Sequence, residues 1–162
     1  MAKITPYLWF NGNAEEAANF YVSLLPDSRV ENVWRSPAAN PSTPAGAVLL
    51  VDFTVAGQRF TGINGGPQFR FSEAVSFLID CDDQAEVDRL WGALTADGGE
   101  PGQCGWLKDR FGLSWQIIPR QLGEMMSDPD RVRSGRAMEA MLEMNKIDLA
   151  ALRRAFEGEP VV

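Results

Sequence analysis

Two stretches, "NAEEAANFYVSLL" (Asn13–Leu25) and "DQAEVDRLWGAL" (Asp83–Leu94), decide the fold, because they are one pattern written twice. Asn13 with Glu16, and Asp83 with Glu86, have the spacing of a helix capping box. Behind the first cap, Ala17, Phe20, Tyr21, Leu24 and Leu25 recur at the interval that lines one face of a helix. Val87, Leu90, Trp91 and Leu94 do the same behind the second. Matched positions lie 70 residues apart, from Asn13 and Asp83 through to Leu24 and Leu94. One amphipathic helix is commonplace; two with caps and stripes in register point to a duplicated unit.

The flanks repeat as well. A short apolar strand precedes each helix, "ITPYLWF" and "EAVSFLID". After the first helix come "SRVENVWRS", "GAVLLVDFTV" and "QRFTGI", with a turn at Gly57. After the second come "EPGQCGW", "WLKDRF" and "LSWQIIP", with a turn at Gly112. Each half therefore reads strand–helix–strand–strand–strand, joined by "NGGPQFRFS" (Asn64–Ser72) as a bend. The expected class is α+β: two βαβββ modules, about 3–66 and 73–119, in one domain of residues 1–120. A sheet that carries its helix on one face leaves the other needing cover, so the two modules are expected to curve around a shared cleft. A helical extension is expected over 121–162, with "SDPDRV" as a helix start that tolerates Pro129 in its first turn. Val132, Met138, Met141 and Leu142 are expected on one face there, and Leu149, Leu152 and Phe156 on a later one. The five methionines of this tail suit adaptable core filling, a dimer contact or a lid.

Composition narrows the function. The chain has 162 residues, 45% hydrophobic and 23% charged, the make-up of an ordinary globular protein. A formal net charge of −7 has the wrong sign for nucleic acid or an anionic membrane surface. No apolar run reaches the roughly 20 residues of a spanning helix. "MAKITPYLWF" passes straight into a strand pattern rather than a signal peptide. Cys81 and Cys104 make no disulfide framework; free thiols and a cytoplasmic location are the expectation. There is no histidine.

The segments "ITPYLWFNGNAEEAANFYVSLLPDS", "GQRFTGINGGPQF" and "CGWLKDRFGLSWQIIP" resemble the PhnB-like proteins. These are labelled 3-demethylubiquinone-9 3-methyltransferase and belong to the vicinal-oxygen-chelate (glyoxalase/bleomycin resistance/dihydroxybiphenyl dioxygenase) superfamily. The resemblance spans about residues 3 to 120 and implies paired βαβββ modules in a homodimer. It also implies, for active members of the superfamily, a divalent metal held by His, Glu or Gln from the first and last strand of each module. Such an ion acts as a Lewis acid on substrate oxygens.

Family spacing from Phe20-Tyr21 leads to Pro6, and the shift of 70 carries Pro6 to Ser76, with Ala74 as the other candidate on that face. Counting from the Ala56-Gly57 and Phe111-Gly112 turns pairs Thr61 with Gln116. A proline, two neutral hydroxyls and one carboxamide make no ion site, so neither metal nor other cofactor is expected. Strand alternation then puts Ser114, Gln116 and Ile118 on the cleft side with Pro6, Leu8 and Phe10, and turns Tyr7, Trp9, Trp115 and Ile117 toward the helices. The expected ligand-binding cleft is Pro6, Leu8, Phe10, Thr61, Ser76, Gln116 and Ile118: apolar with a few polar atoms.

The remaining candidates have plain alternatives. Cys104, with Lys108 or Arg110 to lower its pKa, is either a nucleophile or a buried structural thiol. Asp109 is either a general base at the cleft mouth or a hairpin residue. Asp80, Asp82 and Asp83 stand at a helix start, where carboxylates cap amides without any ion. "NGGP" has no phosphate-loop spacing, and no glycine fingerprint for S-adenosylmethionine or NAD is present, against the methyltransferase label. The reading that follows is a metal-free protein, a homodimer, binding a small, partly apolar ligand. The alternatives are an enzyme with an atypical metal site or a cofactor-free one using Asp109 or Cys104, and a ligand-free structural or regulatory dimer.

Overall fold

The computed structural model describes residues 2–159. It separates into two compact units, Met1–Phe71 and Ser72–Val162. The first unit runs β1 (Tyr7–Phe10), α1 (Ala14–Val22), β2 (Arg29–Arg35), β3 (Val48–Val55) and β4 (Gln58–Asn64). The second runs β5 (Ser76–Cys81), α2 (Gln84–Thr95), β6 (Glu100–Pro101), β7 (Trp106–Lys108) and β8 (Ser114–Pro119), followed by α3 (Arg120–Met126), α4 (Arg131–Leu142) and α5 (Leu149–Glu157). Both sheets have the same weave, β1-β4-β3-β2 and β5-β8-β7-β6, with the first and last strands parallel at one side. The duplicated βαβββ pattern is thus present in the fold.

Each helix covers one face of its sheet. In the first unit Ala14, Ala17, Ala18, Tyr21 and Leu24 are buried, and Tyr21 stacks on Phe53, which stacks on Phe60. In the second, Val87, Leu90 and Leu94 are buried with Leu107, Trp115, Ile117 and Ile79. The two helix starts differ from each other. Asp83 caps α2 as expected, accepting from the Glu86 amide at 2.9 Å, while Glu86 Oε2 accepts from the Asp82 amide at 3.0 Å. Asn13 makes no side-chain cap. The Ala14 amide donates instead to Asn64 Oδ1, 2.9 Å away at the end of β4, so a strand 50 residues on closes this helix.

The bend between modules folds back on β1. Trp9 Nε1 donates to the Gly66 carbonyl, and its ring meets Phe69 edge-on, as Phe10 meets Phe71. Gly65 leaves the room this requires: a Cβ there would lie 2.3 Å from the Trp9 ring.

Helices α3–α5 are part of the second unit. Leu122, Met125, Ala137, Ile147, Leu149 and Leu152 form their core, with Met126, Met141, Met144 and Phe156 packed around it. Four of the five tail methionines are filling here. The expected stripe of α4 is corrected: Val132, Met138 and Leu142 are exposed, and Ser134 and Ala137 face inward instead. Small residues at those two positions let α5 approach closely. Pro129 precedes the helix rather than sitting within it, and Asp130 is the cap. Gln84, in the first turn of α2, clamps the segment leading into α5: its Nε2 donates to the Ile147 carbonyl at 2.9 Å, and its Oε1 accepts from the Leu149 amide at 2.7 Å.

Candidate functional site

In the first sheet the face turned away from α1 carries a polar row. Tyr7, Thr61, Asp52 and Asn32 are successive cross-strand partners on β1, β4, β3 and β2. Leu8 and Phe10 are not on that face. Both are buried, and a Cβ on Gly62, Leu8's partner, would touch both the Phe10 ring and Ala14 of α1. The expected facing of Pro6, Leu8 and Phe10 is therefore corrected by one residue, and Tyr7 takes the place given to Pro6.

Loop length explains the slip. Tyr7 pairs with Thr61 as Leu78 pairs with Gln116, so the first strands of the two modules are related by 71 positions and the helices by 70. Three residues, Asn11 to Asn13, separate β1 from α1, whereas two, Asp82 and Asp83, separate β5 from α2. Because side chains alternate along a strand, one extra loop residue reverses the face of everything before it.

Asp52 is the centre of the first row. Thr61 Oγ1 donates to its Oδ1 at 2.7 Å, and Trp34 Nε1 donates to its Oδ2 at 2.8 Å. These two neutral donors fix the carboxylate plane. Farther along the same face Thr54 donates to Glu31, which Arg29 also meets at 3.0 Å. These contacts, Thr54 first, hold the Glu31 carboxyl below its ordinary pKa. Neither Asp52 nor Trp34 was among the sequence candidates. The signal was present nonetheless: a single charged residue inside the apolar run "VLLVDFTV".

The second sheet keeps the expected facing. Trp115 and Ile117 are buried beneath α2, and Gln116 Nε2 donates to Ser76 Oγ at 3.0 Å on the opposite face. Ile118 is the exception: it packs against the core of α3–α5, and its Cδ1 lies 2.7 Å from where a Cβ on Gly105 would be. The C-terminal helices cover it, so it does not line a ligand face.

Beside Gln116 a groove of about 380 Å³ runs along β6–β8, lined by Glu73, Glu100, Gln103, Trp106, Lys108 and Ser114, among others. Ser114 is 1% exposed, and its Oγ has no hydrogen-bond partner among the described residues. A hydroxyl held in that state costs about 1–3 kcal/mol. Lys108, its cross-strand neighbour, pairs with Glu73. That hydrogen bond is the main reason the Glu73 carboxyl is held below its usual range and the Lys108 ammonium above. Lys108 is thus engaged with Glu73 at this face.

Cys104 and Asp109 are held by structure. Cys104 has a left-handed backbone (φ 57°), and its amide donates to the Met144 carbonyl at 2.8 Å, next to a Gly105–Asn145 bond of equal length. Asp109 is 2% exposed and ties the β7–β8 hairpin: Oδ1 accepts from the Phe111 and Leu113 amides at 2.8 and 3.0 Å, and Oδ2 from Trp115 Nε1 at 2.9 Å. A carboxylate so occupied and buried is a hairpin tie; the general-base alternative is set aside.

The superfamily's metal does not fit the donors present. Tyr7 and Thr61 bring a phenol and a hydroxyl on the first sheet; on the second, Leu78, which pairs with Gln116 as Tyr7 pairs with Thr61 and so takes the place given to Ser76, brings an isobutyl group beside the Gln116 amide. The Thr61 hydroxyl donates to Asp52, and Gln116, whose amide nitrogen donates to Ser76, offers one neutral carbonyl oxygen, which by itself does not hold an ion. Among the described residues no three His, Cys, Asp or Glu side chains gather closely enough to hold an ion.

The family model described as 3-demethylubiquinone-9 3-methyltransferase matches residues 2–118, and α3–α5 lie beyond that match. Among solved structures, the PhnB protein from Bacillus cereus, whose name carries the same methyltransferase label, is 33% identical. It superposes with a TM-score of 0.66 over 73% of this chain and 99% of that one. Protein PA1353 from Pseudomonas aeruginosa shares the fold at 24% identity and a TM-score of 0.60, over 74% of this chain and 98% of that one. A glyoxalase/bleomycin resistance protein from Albidiferax ferrireducens is 16% identical with a TM-score of 0.47, over 74% and 99%. No curated protein matches the chain significantly. No helix among the described residues is long and apolar enough to cross a membrane.

Proposed function

The chain belongs to the 3-demethylubiquinone-9 3-methyltransferase (PhnB-like) family, and on that footing we propose that it is a small-molecule-binding protein whose ligand lies along the second sheet. The ligand on this reading is small and partly apolar, seated against Trp106 in the groove of about 380 Å³. The observation that carries it is Ser114, a buried hydroxyl without a partner at the edge of that groove. Buried polar atoms are almost always satisfied, and a rotation of the Ser114 side chain toward the groove would bring this one to an oxygen or N–H of a ligand. Gln116 and Ser76 supply the next polar atoms along the face. The binding is metal-free in this proposal, because the donors available suit hydrogen bonds rather than ligation. A homodimer in the cytoplasm belongs to the same reading, and sedimentation of the purified chain tests the dimer.

The decisive experiment screens uncharged aromatic fragments bearing a carbonyl or hydroxyl, read from the Trp106 indole N–H resonance. Ser114→Ala removes an unsatisfied hydroxyl, so it is expected to keep or slightly raise stability while weakening fragment binding. A set of fragments that binds both proteins equally, or none that shifts the Trp106 signal, rejects the reading.

A further inference from the structure

The first module contains a carboxylate that its own fold leaves without a counter-charge. Asp52 stands in the middle of β3, half-buried, on the face away from α1. Its hydrogen-bond partners are a threonine hydroxyl and an indole N–H, both neutral. No cation among the described residues forms an ion pair with it. Arg29 is committed to Asp27 and Glu31, Arg59 acts on Glu31, and Arg35 donates to the Gly46 carbonyl. A half-buried carboxylate without a counter-charge still attracts one, more strongly than it would in open water.

The surroundings say what kind of cation. Trp34 lies against Asp52 and is 53% exposed; Tyr7, two strands away at ~9.5 Å in the same row, is 59% exposed. Two large aromatic side chains left this exposed on either side of a fixed carboxylate offer ring faces as well as charge. An aromatic face attracts a weakly hydrated organic cation. The site offers one carboxylate with two aromatics, too few oxygen donors for a hard metal ion. Each carboxylate oxygen uses one acceptor position on Thr61 or Trp34, which leaves others for the N–H groups of a ligand.

We infer that Asp52, flanked by Trp34 and Tyr7, is a binding site for an organic ammonium: a primary or secondary amine on a small apolar body. The ammonium donates to Asp52, and the carbon body rests on the rings. This site is built from first-module residues alone and the groove from second-module residues alone, so either can fail without the other.

The test uses the full chain and three probes at equal ionic strength: n-butylammonium chloride, n-butanol and sodium chloride. The Trp34 indole N–H resonance, assigned with Trp34→Phe, reports occupancy. Butylammonium is expected to shift it saturably, whereas butanol and sodium chloride leave it in place. Asp52→Asn is expected to weaken butylammonium binding by about tenfold or more, since a charge-assisted hydrogen bond becomes a neutral one. Equal responses to butylammonium and butanol on the unmutated protein overturn the inference, and that comparison stands even if the variant does not fold. Unchanged affinity in a folded Asp52→Asn protein overturns it as well.

Discussion

Replacing Asp109 by alanine tests whether this carboxylate is a hairpin tie or a chemical group. Three donors lose their acceptor: the Phe111 and Leu113 amides and Trp115 Nε1. Phe111 is only half-buried, so water can reach its amide, whereas Leu113 and Trp115 are 2% and 4% exposed. Two N–H groups are then left buried and unsatisfied at about 1–3 kcal/mol each, and the expected destabilisation is about 2–6 kcal/mol. For a chain of this size that lowers Tm by roughly 10 °C. Asp109→Asn keeps an oxygen for the two amides but turns an NH₂ toward the Trp115 indole, so about half the loss is expected. Urea unfolding, followed in parallel by tryptophan fluorescence and circular dichroism, measures both variants. An unfolding free energy for Asp109→Ala within about 1 kcal/mol of wild type would show that the hairpin does not depend on these bonds.

Three further outcomes follow from particular contacts. Burial, followed by Glu86 and Asp80, pushes the Cys81 thiol up from 9.0 to about 12, so it stays protonated when folded. A thiol reagent at pH 8 is expected to spare Cys81 until the protein unfolds. The unfolded chain ionises first as pH rises above 9, so Cys81 lowers stability between pH 9 and 12, by at most about 1.4 kcal/mol per pH unit; titration of a Cys81→Ala variant would remove that slope. Gly65→Ala puts a methyl 2.3 Å from the Trp9 ring, displaces the indole and costs about 1–3 kcal/mol, measurable as a fall in urea midpoint. Gln84→Ala unties the Ile147 carbonyl and the Leu149 amide; a loss of about 1–3 kcal/mol is expected, with faster amide exchange in α5 than in α1.

The architecture was legible because it rests on local periodicity. Caps, apolar stripes and glycine turns are properties of neighbouring residues, and duplication let each half check the other. Trp115, Ile117, Ser76 and Gln116 fall on the expected faces for that reason. The facing of β1 was not legible. Tyr7 rather than Pro6 joins Thr61 because the loop before α1 has one residue more than its counterpart, and a repeat measured on the helices does not register it. The α4 stripe misled in a different way: Val132, Met138 and Leu142 share an apolar character, but close helix contact selects the small Ser134 and Ala137.

Sequence by itself determined the two βαβββ modules and the family, since residue types and short-range spacing are enough for each. Tertiary structure alone decided that Asn64 closes the first helix, that Ile118 lies under the C-terminal helices, that Ser114 keeps an unpaired hydroxyl, and that Asp52 is held by Trp34 and Thr61 without a cation. Hydrogen bonds between residues distant in the chain are set by how strands align and pack, and no local pattern records that alignment.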